Sequence, residues 1–418
     1  MTIATSGKEV LAQFFDEGAY TTLYADAQGA VTAAFGSANG EPVYAICQNG
    51  AALAAKDTQK AVKVMKMAAK TGNPVVTFYN SIGAKLEEGL EALSASANMA
   101  AAVSRLSGVV PQITVVTGVC GAGAALAAAG ADICIMSKEG ELFLTAPFTS
   151  AAKGDKVLGA GSAEYAAKAG VATLVTDTAA EAAKKAAELI GILPSNNLSG
   201  PAVFEAAAPT ASYNIAKYCP IEAANSIVDA NSATELYAGY GKKVYTALAT
   251  VSGNVVGVVS TAGADKNLCH NCVSKAARFV RFCDAFSIPV VTIINTDGFM
   301  PSNTEDVTGG LREAARLAGT YADATTAKIA VITGKAIGTA YTALANADIT
   351  IAVNGCVIAP LDPKAAVTVL YQDEIGKGNN IAADTAKLAA AYEKELCSAG
   401  AALESGVADF AVDATEVQ

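Results

Sequence analysis

Apolar residues alternate with small and polar ones from Val31 to Cys47 and again from Lys243 to Val259, the period-two pattern of short strands. After each stretch the period changes. Residues 61–83, AVKVMKMAAKTGNPVVTFYNSIG, open with apolar positions at helical spacing and pass Pro74. They continue into a strand beginning Val75-Val76 and a turn holding Gly83. Residues 276–298, AARFVRFCDAFSIPVVTIINTDG, repeat the plan with Pro289, Val290-Val291 and Gly298. Some 30 residues later each half has a second hydrophobic strand, a turn of small residues and an alanine-rich helix. These are ITVVTGVCGAGAALAAAGADICI at 113–135 and IAVITGKAIGTAYTALANADITI at 329–351. With a constant shift of 216 they share eleven of 23 residues, among them Thr117/Thr333, Gly118/Gly334, Ala124/Ala340 and Asp132/Asp348. Two matched blocks in the same order, at shifts of 215 and 216, indicate an internal duplication. Each half reads as a few strands followed by strand–helix units, an α/β layered domain. The stretch 193–212, LPSNNLSGPAVFEAAAPTAS, holds three prolines and a polar turn cluster, so it is the expected linker. Domains over 1–200 and 201–418 follow, and 418 residues is a length for two cores rather than one.

Composition adds a little. Abundant alanine and glycine suit helices packed close to strands and backbone approaching a ligand. The net charge of −10 excludes nucleic acid as a partner, although a local basic patch could still serve a phosphorylated ligand. Nine scattered cysteines read as reduced thiols in a cytosolic protein. The first residues, MTIATSGKEVLAQFFDEG, lack the pattern of a secretory signal. No charge occurs between Arg105 and Asp132, but Pro111, Gln112 and several glycines and hydroxyls interrupt that stretch, so no membrane span is expected.

The repeated small-residue turn is the candidate chemistry. A strand running through such a turn into a helix presents backbone N–H groups without side chains in the way, an arrangement suited to a developing oxyanion. Two copies suggest two sites, each polarising a carbonyl. His270 is the sole histidine, which nearly excludes a Ser-His-Asp triad. Gly121-Ala122-Gly123 lacks the third glycine and the following acid of a dinucleotide loop. Cys269-His270-Asn271-Cys272 has no second ligand pair, so no metal is assigned and a turn with reduced thiols is expected. Val64-Met65-Lys66-Met67 looks like a biotin attachment site, but its mid-helix position in a repeated element argues against a biotinylated Lys66.

The most specific segment is KAARFVRFCDAFSIPVVTIINTDGF (275–299). It is joined by KTGNPVVTFYNSIGAKLEEG (70–89), SGVVPQITVVTGVCGAGAA (107–125), SKEGELFLTAP (137–147) and GKAIGTAYTALANAD (334–348). On these the chain resembles, from Gly7 to about Asp413, the carboxyltransferases of the biotin-dependent acyl-CoA carboxylase and decarboxylase family. The resemblance implies two tandem crotonase-like (ClpP/crotonase) α/β domains, the first on the acyl-CoA side and the second on the biotin side. It implies oxyanion turns at Ala122, Gly123 and Ala124 and at Gly338, Thr339 and Ala340, one for the thioester oxygen and one for the biotin ureido oxygen. Acyl-CoA contacts are implied at Ser81, Ile82, Gly83, Ala84, Lys85 and Thr342, and biotin contacts at Phe299, Gly309, Gly310 and Tyr341. Biotin would ride on a separate carrier protein, and its own nitrogen can take the alpha proton, so no catalytic histidine is needed. The other implied partners are a biotin carboxylase or a membrane ion-pump decarboxylase subunit, the latter a route to membrane association. Sites shared between halves of different subunits imply homo-oligomers, from dimer to ring-like hexamer. Carboxylase and decarboxylase directions are equally compatible, because the transfer is reversible. The acyl group is of the propionyl/methylmalonyl, acetyl/malonyl or glutaconyl type. Departures from the family pattern are Ala122 and Thr339 in the glycine pairs, Lys85 for arginine, Asp297 for proline and Thr308 for tyrosine, and they bear on the substrate. Two other readings stand beside this one. One is a crotonase-type hydrolase or isomerase, which would want a carboxylate base over the thioester. The other is a non-catalytic scaffold paralogue.

Overall fold

In the computed structural model, residues 7–24, 29–211, 219–261, 267–377 and 380–417 are described. Ser212, at the end of the expected linker, lies outside them. The chain forms two compact units. The first runs to Ala202 and includes Tyr237–Tyr240 and Ala285–Ser287; the second takes Val203–Leu236, Gly241–Asp284 and the chain from Ile288.

The first unit is built on a seven-stranded sheet: β1 (Tyr20–Leu23), β2 (Val31–Ala38), β3 (Glu41–Gln48), β4 (Val75–Tyr79), β5 (Gln112–Val116), β6 (Ile133–Ser137) and β7 (Leu174–Thr176), in that spatial order. The pairs β1–β2 and β2–β3 are antiparallel, and every later pair is parallel. β4, β5 and β6 are buried along their whole length, which is why they read as apolar runs rather than alternations. Helix α1 (Ala55–Thr71) links β3 to β4, and α2 (Leu90–Leu106) links β4 to β5. α1 buries Ala61, Val64, Met65 and Ala68 and ends at Gly72 in the left-handed conformation (φ 69°). Lys66 is exposed in the middle of that helix.

The second unit repeats the plan. Its sheet runs β8 (Thr234–Glu235), β9 (Val244–Val251), β10 (Asn254–Thr261), β11 (Val290–Thr296), β12 (Lys328–Ile337), β13 (Ile349–Val353) and β14 (Phe410–Val412). Again the first two pairs are antiparallel and the rest parallel. Helix α3 (His270–Ala285) stands where α1 stands, with Cys272, Ala276, Phe279, Val280 and Cys283 buried. The expected turn at 269–272 is therefore a correction. Val273 N–H donates to the Cys269 carbonyl at 3.1 Å, which starts the helix immediately after Cys269.

The correspondence extends to single carboxylates. Asp132 accepts from Gln112 N–H at 2.9 Å and Asp348 from Lys328 N–H at 2.8 Å, so each tethers the start of the strand before its own. Asp16 accepts from Ser37 Oγ and the Asn39 and Gly40 N–H groups of the β2–β3 turn. Asp229 does the same for Thr250 Oγ1 and the Ser252 and Gly253 N–H groups of the β9–β10 turn. The uncharged stretch after Arg105 resolves into β5, a turn and a short helix. No helix among the described residues is long and apolar enough to cross a membrane.

Candidate active site: two matched turns

In the first unit, β5 leads through Gly118 into a short strand, Val119–Gly121, paired in parallel with Glu141–Phe143. Ala122 then turns the chain with φ 53° and ψ −121° into helix α4 (Gly123–Ala129). In the second unit β12 pairs over Lys335–Ile337 with Val357–Ala359, and Gly338 takes φ 59° and ψ −136° before α5 (Thr339–Leu344). The two turns thus have one backbone conformation. An L side chain rarely adopts it, and at Ala122 a Cβ is held there nonetheless.

The turn residues divide into two roles. Ala122 N–H donates to the Phe143 carbonyl at 3.0 Å, and Gly338 N–H to the Ala359 carbonyl at 2.8 Å. These two groups hold the turn shut. Gly123 and Ala124, like Thr339 and Ala340, are first-turn helix residues whose N–H groups have no intrahelical acceptor, and they are the donors left for a ligand. Gly123 and Ala124 line a narrow cavity of about 30 Å³ walled by Val31, Ile46, Leu53, Tyr79 and Met99.

Two asparagines buttress the turns from below. Asn80 packs against Gly118 and Asn295 against Gly334 so closely that a Cβ on either glycine would overlap the carboxamide. Asn295 Oδ1 also accepts from Lys335 N–H at 3.0 Å. A second matched device lies beside them. Ser81 Oγ accepts from Gly83 N–H at 3.1 Å, and Thr296 Oγ1 from Gly298 N–H at 3.2 Å, with both glycines at positive φ (111° and 124°). Ser81 is buried and also donates to the Ala51 carbonyl at 2.9 Å, so it pins its turn rather than facing solvent. Ile82, Ala84 and Lys85 are the exposed members of that segment, and Lys85 N–H is held by the Leu53 carbonyl at 2.8 Å. Thr342 belongs to the second unit, exposed on α5.

In the second unit α5 packs on Gly298–Phe299 and on α6 (Gly310–Asp323), which brings the Phe299, Gly310 and Tyr341 positions into one region. Gly309 caps α6 at φ 109°, and a Cβ on Gly310 would press the Glu305 carbonyl at 2.8 Å. Burial pushes the half-buried Tyr341 phenol upward. Where the second unit has Phe299 and Tyr341, the first has Ala84 and Ala125 at the matching positions.

The two turns also differ in charge. Lys335 Nζ lies 3.0 Å from Asp297 and 3.2 Å from Asp362, between two carboxylates. Burial alone would lower Lys335, but these carboxylates outweigh it and hold the ammonium above its ordinary value. The matching residues of the first unit, Ile82 and Val119, are apolar. Sequence reasoning marked Asp297 only as a departure; its partner Lys335 was visible as the one charge inside the repeated turn. His270 Nδ1 lies 2.8 Å from Glu305 Oε2, which also accepts from His270 N–H. Among the described residues no three His, Cys, Asp or Glu side chains could hold a metal.

A carboxyl transferase domain matches residues 7–418. The chain belongs to the carboxyl transferase family. Its relatives include the methylmalonyl-CoA carboxyltransferase 12S subunit of Propionibacterium freudenreichii subsp. shermanii, 32% identical across 97% of this chain and 84% of that one. Another is the methylmalonyl-CoA decarboxylase subunit alpha of Propionigenium modestum, 30% identical across 98% and 87%. A solved transcarboxylase 12S structure, described as a hexamer assembly with methylmalonyl-coenzyme A and methylmalonic acid bound, superposes with a TM-score of 0.92. It is 29% identical over 98% of this chain and 86% of that one. This carboxyl transferase is therefore a biotin-dependent enzyme acting on acyl-CoA, with the expected crotonase-like α/β fold. The hydrolase, isomerase and scaffold readings give way to it.

Proposed function

We propose that this carboxyltransferase subunit moves a carboxyl group between biotin on a separate carrier protein and the α carbon of a short acyl-CoA, with the propionyl/methylmalonyl pair as first choice. The observation that carries the reading is a pair of turns with one backbone conformation and unlike surroundings. The first unit, over about residues 1–200, takes the thioester. Gly123 and Ala124 N–H groups stabilise the thioester oxygen as negative charge develops on it, and the narrow cavity beside them, lined by Val31, Ile46 and Met99 together with Gln48, Thr58 and Ser96, favours a small acyl group. Ile82, Ala84 and Lys85 lie along the approach of the coenzyme A arm, with Ser81 and Gly83 setting their turn. The second unit, over 201–418, faces biotin. Thr339 and Ala340 present N–H donors, Phe299 and Tyr341 supply apolar faces, and Gly309-Gly310 keeps the backbone clear of side chains, which fits an apolar bicyclic ring bearing one polar carbonyl. Biotin, when bound, supplies the nitrogen that gives or receives the carboxyl group. The remaining tasks of the chain are to orient the two carbonyls and to hold the Asp297–Lys335–Asp362 cluster beside the second turn. Thr342, one helical turn after Gly338, tunes the acyl fit. The hexamer assembly described for the transcarboxylase 12S structure supports a homo-oligomer up to a hexamer, and within this reading the partner is a biotin carboxylase or a membrane decarboxylase subunit.

The test is incubation of the purified chain with free biotin and methylmalonyl-, malonyl- or glutaconyl-CoA, with chromatography of the CoA products. Biotin-dependent loss of the carboxyl group, fastest from methylmalonyl-CoA, is expected. No biotin-dependent loss from any of the three would overturn the proposal. Light scattering of a 41.9 kDa monomer alone would overturn the oligomer.

A further inference from the structure

Two sulfurs outside the candidate site lie unusually close. Cys269 Sγ and Cys272 Sγ are 3.0 Å apart at the start of the 16-residue helix α3. All nine cysteines are free thiols. Cys47, Cys283 and Cys356 are buried, and burial pushes each thiol upward, Cys47 to about 12 and Cys356 to about 11. Cys269 is half-buried and is driven the other way. The hydrogen bond from the Cys272 thiol, with backbone N–H groups of Cys272 and Asn271, outweighs burial and the Glu305 charge and holds Cys269 well below the usual thiol range. Cys272 is held high, by its bond to Cys269 and by burial. Two thiols in contact at a helix N-terminus, one held low and just before the helix, the other held high and in its first turn, make the arrangement of a dithiol exchange site.

We propose that Cys269 and Cys272 form a reversible thiol–disulfide exchange site whose oxidant is a small-molecule disulfide. Cys269 thiolate attacks one sulfur of the disulfide, the S–S bond breaks, and one thiolate leaves. Cys272 then gives its proton to solvent and attacks the Cys269 sulfur, releasing the second small thiol. The protein loses two electrons and two protons, and the small disulfide becomes two thiols. The titratable and charged groups around the pair are Glu305, with His270 and Lys243 beside it, and the buried Lys275.

The pair is tied to its surroundings on both flanks. Asn267–Leu268 pairs in parallel with Gly298–Phe299, and Met300 N–H donates to the Leu268 carbonyl at 2.9 Å. His270 bonds Glu305 through both its N–H and its ring. Closing a bridge at Cys269 therefore bears directly on residues 298–305.

Pulsed alkylation at neutral pH with peptide mass spectrometry tests the first step. Cys269 is expected to react roughly tenfold faster than Cys219, the other half-buried cysteine. Oxidised glutathione should remove two hydrogens from the peptide holding both sulfurs, reversibly with dithiothreitol. Cys272→Ser should instead retain one glutathione on Cys269, and Cys269→Ser should take none at Cys272. Hydrogen exchange over 298–305 should change on oxidation of the parent chain and not of Cys272→Ser. Equal alkylation of Cys269 and Cys219, or a chain that stays a dithiol in excess oxidised glutathione, would overturn the exchange site. Unchanged exchange over 298–305 in the oxidised parent would overturn its mechanical coupling.

Discussion

Ala122 carries the cost of its position alone, because Gly338 meets the same backbone demand without a Cβ. A non-glycine residue in such a region costs about 1–3 kcal/mol, against about 0.5–1 kcal/mol of extra chain entropy for glycine. Ala122→Gly should therefore stabilise the protein by about 1 kcal/mol in urea titration and keep activity, since the Ala122 N–H remains. The donors themselves are best tested at Thr339. As the first residue of α5 it accepts proline without losing an intrahelical bond. Thr339→Pro should lower kcat by about 10²–10³ with acyl-CoA affinity unchanged, while Thr339→Gly, which keeps the N–H, stays active. Equal rates in both variants would remove Thr339 N–H from the reaction. Lys275 offers a stability test. Its ammonium is buried without a hydrogen-bond partner, and burial lowers it to about 8, with Glu235 and Cys272 opposing in part. The folded value lies below the unfolded one, so the penalty is complete below about pH 8 and fades as pH rises towards 10.5. Lys275→Met should be more stable at pH 7 by on the order of 2–3 kcal/mol, a gain that shrinks as pH is raised. A gain that is the same at pH 7 and pH 10 would point to packing instead.

At the scale of elements, the strand–turn–helix unit works because small residues let three elements meet. Gly334 ends the straight part of β12 against the Asn295 carboxamide, and Gly118 repeats this against Asn80. Gly334→Ala should displace Asn295, break its bond to Lys335 N–H and cost about 1–3 kcal/mol for the unpaired buried group. Activity should fall with it, since Gly338 lies only four residues on. Gly319→Ala, at a helical glycine with nothing near its would-be Cβ, is the control and should be neutral or slightly stabilising. The identical residues of the two repeats find their reasons here. Gly118 and Gly334 make room for an asparagine, and Asp132 and Asp348 tether the preceding strand.

At the scale of the molecule, each unit clamps its β2–β3 or β9–β10 turn with one aspartate. For Asp229, burial would raise the carboxyl, but hydrogen bonds from Thr250, Gly253 and Ser252 outweigh it and the net shift is downward; Asp16 shifts down as well, led by the Gly40 N–H. A depressed folded value means stability that is complete above the unfolded pKa, near 4, and lost as pH falls through the folded value. Asp229→Ala should cost about 1–3 kcal/mol at pH 7, and its gap from the parent should close below about pH 4 in urea titrations run from pH 7 to pH 3. A gap constant across that range would mean the carboxylate charge is not what holds the hairpin.

The duplication, the α/β class, the two turns and the family were all legible in the chain, because period, glycine placement and segment identity are local properties. Asp16 and Asp229 were not: they sit at a shift of 213, outside the matched blocks, and only the fold brings them to their hairpins. The roles within the turns were also hidden. Sequence marks Ala122 and Gly338 as turn residues, yet only the tertiary structure brings the carbonyls of Phe143 and Ala359, twenty-one residues on, to accept their N–H groups. The Asp297–Lys335–Asp362 cluster and the Cys269–Cys272 approach have the same origin. A backbone conformation is set by residues next to one another, whereas the partner of a polar group is set by whatever the tertiary structure packs against it.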